Sequence, residues 1–233
     1  MWVTGRYHIR ELLGQGGMGR IWLAEDVQEQ RRVALKEMQV PAGLPQNKVE
    51  ELVLMFRHEF FAMKRLQHPG TLKVFDCGMT GSGNRFITME VVGGKDLSAL
   101  ARERALDTRA LYRVLMQMAQ VLSFIHSRLY VHCDIKANNV RITESGAVKL
   151  MDFGIMHQFG TPGTGRLRGT LQYLAPEWQR GASIDGRADL YSLGVMAFYL
   201  ATRRLPFKGG NPTTLLADHL SRPPPRPSSL CPV

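Results

Sequence analysis

The chain has 233 residues, 44% hydrophobic and 8% aromatic, enough to bury one large core or two modest ones, which excludes a disordered polymer. It has no run of eighteen apolar residues, and its opening Met1-Trp2-Val3-Thr4-Gly5-Arg6 has no apolar export segment, so neither a membrane segment nor secretion is expected. The formal charge of +10 is spread along the sequence, with one local cluster at Arg102, Arg104 and Arg109 and no basic helix interleaved with aromatics, so no nucleic-acid partner is expected. Cys77, Cys133 and Cys231 form no C-x-x-C pair, which argues against a disulfide framework or a zinc site and for a cytoplasmic setting.

In chain order, residues 7–13 and 19–24 read as strands on either side of a glycine-rich turn, a β-hairpin pattern, and residues 32–36 read as a third strand. Over residues 49–66, Leu52, Met55, Phe56, Phe60, Met63 and Leu66 recur at steps of three and four and predict a helix with a buried stripe. Glu59 lies within that stripe. A buried carboxylate is costly unless a cation meets it, so Glu59 either has a cationic partner elsewhere or reaches water at the stripe's edge. Residues 108–128 give the clearest amphipathic helix, through Leu111, Val114, Leu115, Met118, Val121, Leu122 and Ile125. Residues 188–202 read as a helix apolar on most sides, and residues 222–227 as an irregular or polyproline-like stretch. Strands with one helix up to residue 92 and mostly helices from 93 to 233 suggest an α+β chain of two lobes.

Gly14-Gln15-Gly16-Gly17-Met18-Gly19 contains G-x-G-x-x-G, whose backbone can approach phosphate oxygens because no Cβ intervenes. A dinucleotide fingerprint needs a helix straight after the glycines; here a strand follows, so a strand–loop–strand flap over ATP fits better. Val33-Ala34-Leu35-Lys36 places a lysine on the next strand, where alternation can turn its ammonium toward the phosphates. Lys36 and Glu59 then each supply what the other requires.

With these motifs the sequence resembles the eukaryotic-like protein kinases, and the glycine loop is similar to that of their bacterial Ser/Thr members. His132-Cys133-Asp134-Ile135-Lys136-Ala137-Asn138-Asn139 resembles the catalytic loop H-R-D-x-x-x-x-N, Asp152-Phe153-Gly154 resembles D-F-G, and Ala175-Pro176-Glu177 resembles A-P-E. The order and spacing of four or five motifs are far more specific than any one of them. The resemblance runs from about residue 7 to residue 206 and implies a bilobal protein-kinase fold with ATP in the cleft between the lobes. The implied activity is transfer of the γ-phosphate of ATP to Ser/Thr hydroxyls of protein substrates, with Mg²⁺.

The resemblance also assigns roles. Asp134 accepts or orients the proton of the attacking hydroxyl, Lys136 neutralises charge on the moving phosphoryl group, Asn139 and Asp152 hold Mg²⁺, and Thr170 contacts the catalytic loop. Gly14, Gly16 and Gly19 approach the phosphates. Leu13, Ile21 and Ala34 sandwich the purine, Met89 is the gatekeeper, and backbone groups of Glu90 and Val92 bind adenine. Asp96 stands at the ribose-contacting position, although a cap for the helix over 97–104 explains it nearly as well.

Two departures from the family pattern bear on regulation and stability. Cys133 replaces the Arg that pairs with an activation-loop phosphate in many kinases, so activity is expected to depend little on phosphorylation between Gly154 and Ala175. Cys133 reads as a small residue packed beneath the loop, with a redox sensor as the alternative. The Arg that the family pairs with Glu177 from a late helix has no counterpart in a helical context, and an unpaired carboxylate together with apolar surface near Leu193 suggests a C-lobe lacking its last helices. A nucleotide-binding pseudokinase scaffold is the rival reading, but Lys36, Asp134 and Asp152 are all present. A kinase of small metabolites is a further rival, against which residues 169–177 argue for a peptide-like acceptor.

Overall fold

A computed structural model describes residues 1–16, 19–41, 43–103, 106–153, 156–162 and 169–230. Gly17, Met18, Arg104, Gly154 and Cys231, named above, lie outside the described residues, as does Thr164 between Gly154 and Ala175. The chain divides into two compact units, one of residues 1–67 and 72–92, the other of residues 68–71 and 93–233. A single boundary after residue 92 does not express the crossing of His68–Thr71 into the second unit, where Thr71 bridges to Leu150 and the Leu150 amide donates to the Gly70 carbonyl at 2.8 Å.

The first unit is a six-stranded antiparallel sheet with one helix. The strands β1 (Trp2–Val3), β2 (Tyr7–Gly16), β3 (Gly19–Asp26), β4 (Arg31–Met38), β5 (Val74–Met79) and β6 (Arg85–Met89) lie in the order β1-β2-β3-β4-β6-β5, and α1 (Gln46–Arg65) falls between β4 and β5 in sequence. β1 was not anticipated, since two residues are too short to show an alternation.

Cross-strand register sorts the side chains. Lys36 pairs with Ile21 and Ile87, and Ala34 with Leu23 and Met89. Because side chains alternate, these residues share one face, while Val33, Leu35 and Ala24 take the other and join Val3, Tyr7, Ile9 and Phe86 in a buried cluster. The register slips between Leu12 and Gly14, which makes Leu13 the extra residue of a β-bulge and leaves it about half exposed (48%). α1 starts three residues before the apolar stripe predicts, with the polar residues Gln46, Asn47 and Lys48 in its first turn, and buries Phe56, Glu59, Phe60, Ala62 and Met63.

In the second unit β7 (Lys95–Asp96), α2 (Leu97–Glu103), α3 (Thr108–Ser127), β8 (Tyr130–Val131), β9 (Val140–Ile142), β10 (Val148–Leu150) and β11 (His157–Gln158) are followed by α4 (Pro176–Gln179), α5 (Gly186–Thr202) and α6 (Pro212–Ser221). α3 buries Val114, Met118, Val121, Leu122 and Ile125, as its periodicity predicts, and Asp107 caps it by accepting from the Ala110 amide at 2.7 Å. α5 is covered along most of its length, with Arg187, Leu190 and Gly194 its exposed positions. α6 was not anticipated; Asn211 caps it by accepting from the Thr214 amide, and Leu215 is buried. Residues 222–226 are irregular, in line with their prolines. No helix among the described residues is long and apolar enough to cross a membrane.

Candidate active site

In the first unit, β4 and α1 bring together the two groups that composition alone leaves at risk. Lys36 Nζ donates to Glu59 Oε1 at 2.6 Å, with the two side chains 13% and 5% exposed. Strand register puts Ile21, Ala34 and Met89 on the face from which Lys36 projects, and Gly14 pairs with Ile21 on the same surface. That face therefore offers apolar contacts beside one ammonium.

The glycines of the loop differ in what they answer to. A Cβ on Gly19, whose φ is +137°, would lie 2.0 Å from the Glu37 carbonyl oxygen, so the chain's own packing demands glycine there. Around Gly14 and Gly16 no described group lies within 4 Å of an added Cβ, so none among the described residues requires glycine at either. Following β6, the Glu90 amide donates to the Lys73 carbonyl and the Glu90 carboxylate accepts from the Lys73 amide, which fixes Glu90; Val92 is half-buried.

In the second unit the turn from β8 toward β9 carries Asp134, which is 7% exposed. Its Oδ2 accepts from Lys136 Nζ at 2.7 Å and from Asn139 Nδ2 at 2.9 Å; its Oδ1 accepts from the Thr170 amide at 3.1 Å and hydroxyl at 2.9 Å. Lys136 also donates to the Thr170 hydroxyl at 2.8 Å. Burial pushes the Asp134 carboxyl up, but the Lys136 ammonium and the Thr170 and Asn139 hydrogen bonds outweigh it and hold the group below its ordinary range. Gly169 makes the Thr170 contact sterically feasible: its φ is +96°, and a Cβ there would lie 2.5 Å from the Cys133 carbonyl oxygen.

Asn139 spends its amide nitrogen on Asp134, donating to the backbone carbonyl as well as the carboxylate, each at 2.9 Å. Asp152 is exposed and held at φ 37°, in the left-handed region, with Phe153 buried directly after it and edge-on to His132. Asp96 Oδ1 accepts from the Ala99 amide at 2.6 Å, which is the capping arrangement at the start of α2.

Cys133 is buried and makes a weak bond from Sγ to the Val131 carbonyl. Its φ of +68° is one that side-chain-bearing residues enter at a cost of roughly 1–3 kcal/mol. Sequence reasoning missed what holds it: Asp189 of α5, fully buried, accepts from the His132 and Cys133 amides, both at 2.8 Å. The signal was available, because a carboxylate in a helix apolar on most sides must find donors. Glu177 is half-buried rather than buried, and forms no ion pair within 4.0 Å among the described residues.

Residues 7–223 match the protein kinase domain family. The serine/threonine-protein kinase PksC of Streptomyces coelicolor is 37% identical over 97% of this chain and 42% of its own length. PknA of Mycobacterium tuberculosis is 36% identical over 96% of this chain and 53% of its own length, and PknB of Mycolicibacterium smegmatis 34% identical over 97% and 37%. The chain thus spans about half or less of the curated relatives it matches. A family match across nearly the whole chain, around a buried aspartate ringed by Lys136, Asn139 and Thr170, means that this chain belongs to the protein kinase domain family.

Proposed function

We propose that the chain is the phosphoryl-transfer domain of a Ser/Thr protein kinase, moving the γ-phosphate of ATP to Ser or Thr hydroxyls of protein substrates in a cytoplasmic setting. The observation that carries this reading is the Asp134 carboxylate, kept ionised beside Lys136 and Thr170. Such a group can orient an incoming hydroxyl and take its proton as the oxygen begins to attack phosphorus, while Lys136 offsets charge on the transferred group.

Lys36, held by Glu59, would meet the α- and β-phosphates, and Gly14, Gly16 and Gly19 would cover them with backbone amides. Leu13, Ile21, Ala34 and Met89 would line the purine, with Glu90 and Val92 offering backbone groups to its edge and Asp96 lying near the ribose. Asp152 and Asn139 fit Mg²⁺: one offers an exposed carboxylate, the other an amide oxygen left over after its nitrogen has donated twice, and hard cations take oxygen ligands. When bound, that ion neutralises charge on the bridging phosphates.

The test is incubation of the chain with γ-labelled ATP, Mg²⁺ and a generic protein substrate, followed by identification of the labelled amino acids. Label on serine and threonine is expected. Label confined to tyrosine, or none above a substrate-free control, would overturn the reading.

Regulation by phosphorylation should be weak. Cys133 has no cationic side chain to pair with a phosphate, and the two described threonines of the activation segment are already engaged: Thr161 with His157 and the Gln158 carbonyl, Thr170 with Asp134. Phosphatase-treated chain is therefore expected to keep its transfer rate; abolition of activity by phosphatase would contradict this.

A further inference from the structure

Thr170 binds Asp134 through both its amide and its hydroxyl, and the residues that follow it, Leu171–Tyr173, form a single 3₁₀ turn. A hydroxyl brought to Asp134 therefore has its neighbouring residues passing over this turn, and what fixes the turn bears on how a protein acceptor seats. α5 fixes one end, where the Ser192 hydroxyl donates to the Tyr173 carbonyl at 2.7 Å. The other support is α6, which packs against the turn. Leu171 and Leu216 lie against one buried cluster that includes Leu174 and Trp178, and Gln179 Nε2 donates to the Leu216 carbonyl at 3.0 Å.

α6 also carries His219, 5% exposed, with its ring edge-on to Phe207 and its Nδ1 2.6 Å from the Tyr191 hydroxyl. Burial pushes the Tyr191 phenol up to about 12 and the His219 imidazole down, so both are uncharged at neutral pH. The phenol has a proton to place and Nδ1 is the acceptor it reaches, which leaves the ring's own proton on Nε2. Nε2 is buried and makes no hydrogen bond of ordinary geometry among the described residues, while the Gln172 backbone is an acceptor that acts on the ring. Hydrogen bonds around a reacting centre are often long until substrate is bound and then tighten. The Gln172 side chain itself is exposed.

We propose that His219 is a positioning residue for the protein acceptor: oriented by Tyr191, its imidazole supports the Gln172 backbone and so sets the turn over which the residues flanking the acceptor hydroxyl lie. This rests on the kinase reading given above. His219 acts through the turn and touches neither nucleotide nor the reacting atoms, so its loss weakens acceptor binding and leaves ATP affinity intact.

The test compares wild-type chain with His219→Phe, His219→Gln and Tyr191→Phe, with casein as the acceptor protein. KM for casein, KM for ATP and kcat are measured, together with hydrogen exchange at the Tyr173 amide, which closes the turn by donating to the Thr170 carbonyl at 2.9 Å. His219→Phe keeps a ring but no polar atom, and Tyr191→Phe removes the hydroxyl that orients the imidazole. Each is expected to raise KM for casein roughly 3- to 10-fold, the worth of one hydrogen bond, with KM for ATP and kcat unchanged and with faster exchange at Tyr173. His219→Gln retains one acceptor and one donor group and is expected to recover most of the affinity for casein.

A wild-type KM for casein in His219→Phe overturns the proposal, as does a KM for ATP that rises in parallel or a His219→Gln variant no better than His219→Phe. If His219→Phe does not fold, Tyr191→Phe carries the same comparison. If instead the wild-type chain labels no acceptor, the kinase reading fails, and exchange at the Tyr173 amide still decides whether His219 holds the turn.

Discussion

Asp134→Asn is expected to lower γ-phosphate transfer by roughly 10²–10⁴-fold, the range for loss of a positioned general base. The substituted side chain keeps an acceptor oxygen but turns an NH₂ group toward donors that the carboxylate now receives. Lys136 Nζ and Asn139 Nδ2 both point at Oδ2, and the Thr170 amide and hydroxyl both point at Oδ1, so whichever way the amide is turned, donors face donors. Some local stability is lost with the chemistry, about 1–3 kcal/mol for a group left unsatisfied. ATP binding measured on the same preparation separates the two effects: binding should survive while transfer does not. Equal rates for wild-type and Asp134→Asn would leave a nucleotide-binding scaffold as the better account of the chain.

The same carboxylate predicts an acid limb. Its folded pKa lies below the unfolded value of about 3.9, so the stability it contributes is fully present above that value and is lost as pH falls through the lower folded value. Asp134→Asn should flatten this part of the stability profile. A wild-type and a variant profile of the same slope below pH 4 would show that the Lys136 and Thr170 contacts do not discriminate the ionised form.

How far the site could be read before the structure follows from the kind of contact involved. Strands β2 to β4 and helices α1, α3 and α5 declare themselves by alternation or by a stripe, because burial on one face imposes a period on the sequence. The need of Glu59 for a cation could be read because a charge in an apolar stripe has few alternatives, and Lys36 was the group that resolved it. Asp189 poses the same problem, and its need for donors could be read, but not who they are: two are backbone amides, which leave no trace in the sequence, and the third, His126, is distant in the chain. Gly186 and Gly169 went unread for a related reason, since their neighbours, an imidazole from α3 and the Cys133 carbonyl, are distant in the chain. α6 was hidden by brevity and by the prolines that follow it, and the bulge at Leu13 by register, which no single strand encodes.

Removing the ammonium of Lys36 should have two separable consequences. In Lys36→Met the Glu59 carboxylate, 6% exposed, loses the cation 2.6 Å away, and breaking a buried ion pair from one side costs about 3–5 kcal/mol. Denaturant unfolding should register that loss as a lower midpoint. Glu59→Met alone leaves Lys36 without its anion, and the ammonium, itself only 13% exposed, is destabilised for the same reason. In the double variant neither charge remains and two thioether side chains lie against the apolar stripe of α1, so much of the stability should return and the cycle should show strong coupling. Transfer should not return with it. An ammonium directed at phosphate has been lost in both Lys36→Met and the double variant, and removal of one such charge-stabilising group costs roughly 10²–10³ in rate. Stability losses that simply add would deny the ion pair a structural role, and a double variant with wild-type transfer would deny Lys36 a part in phosphate binding.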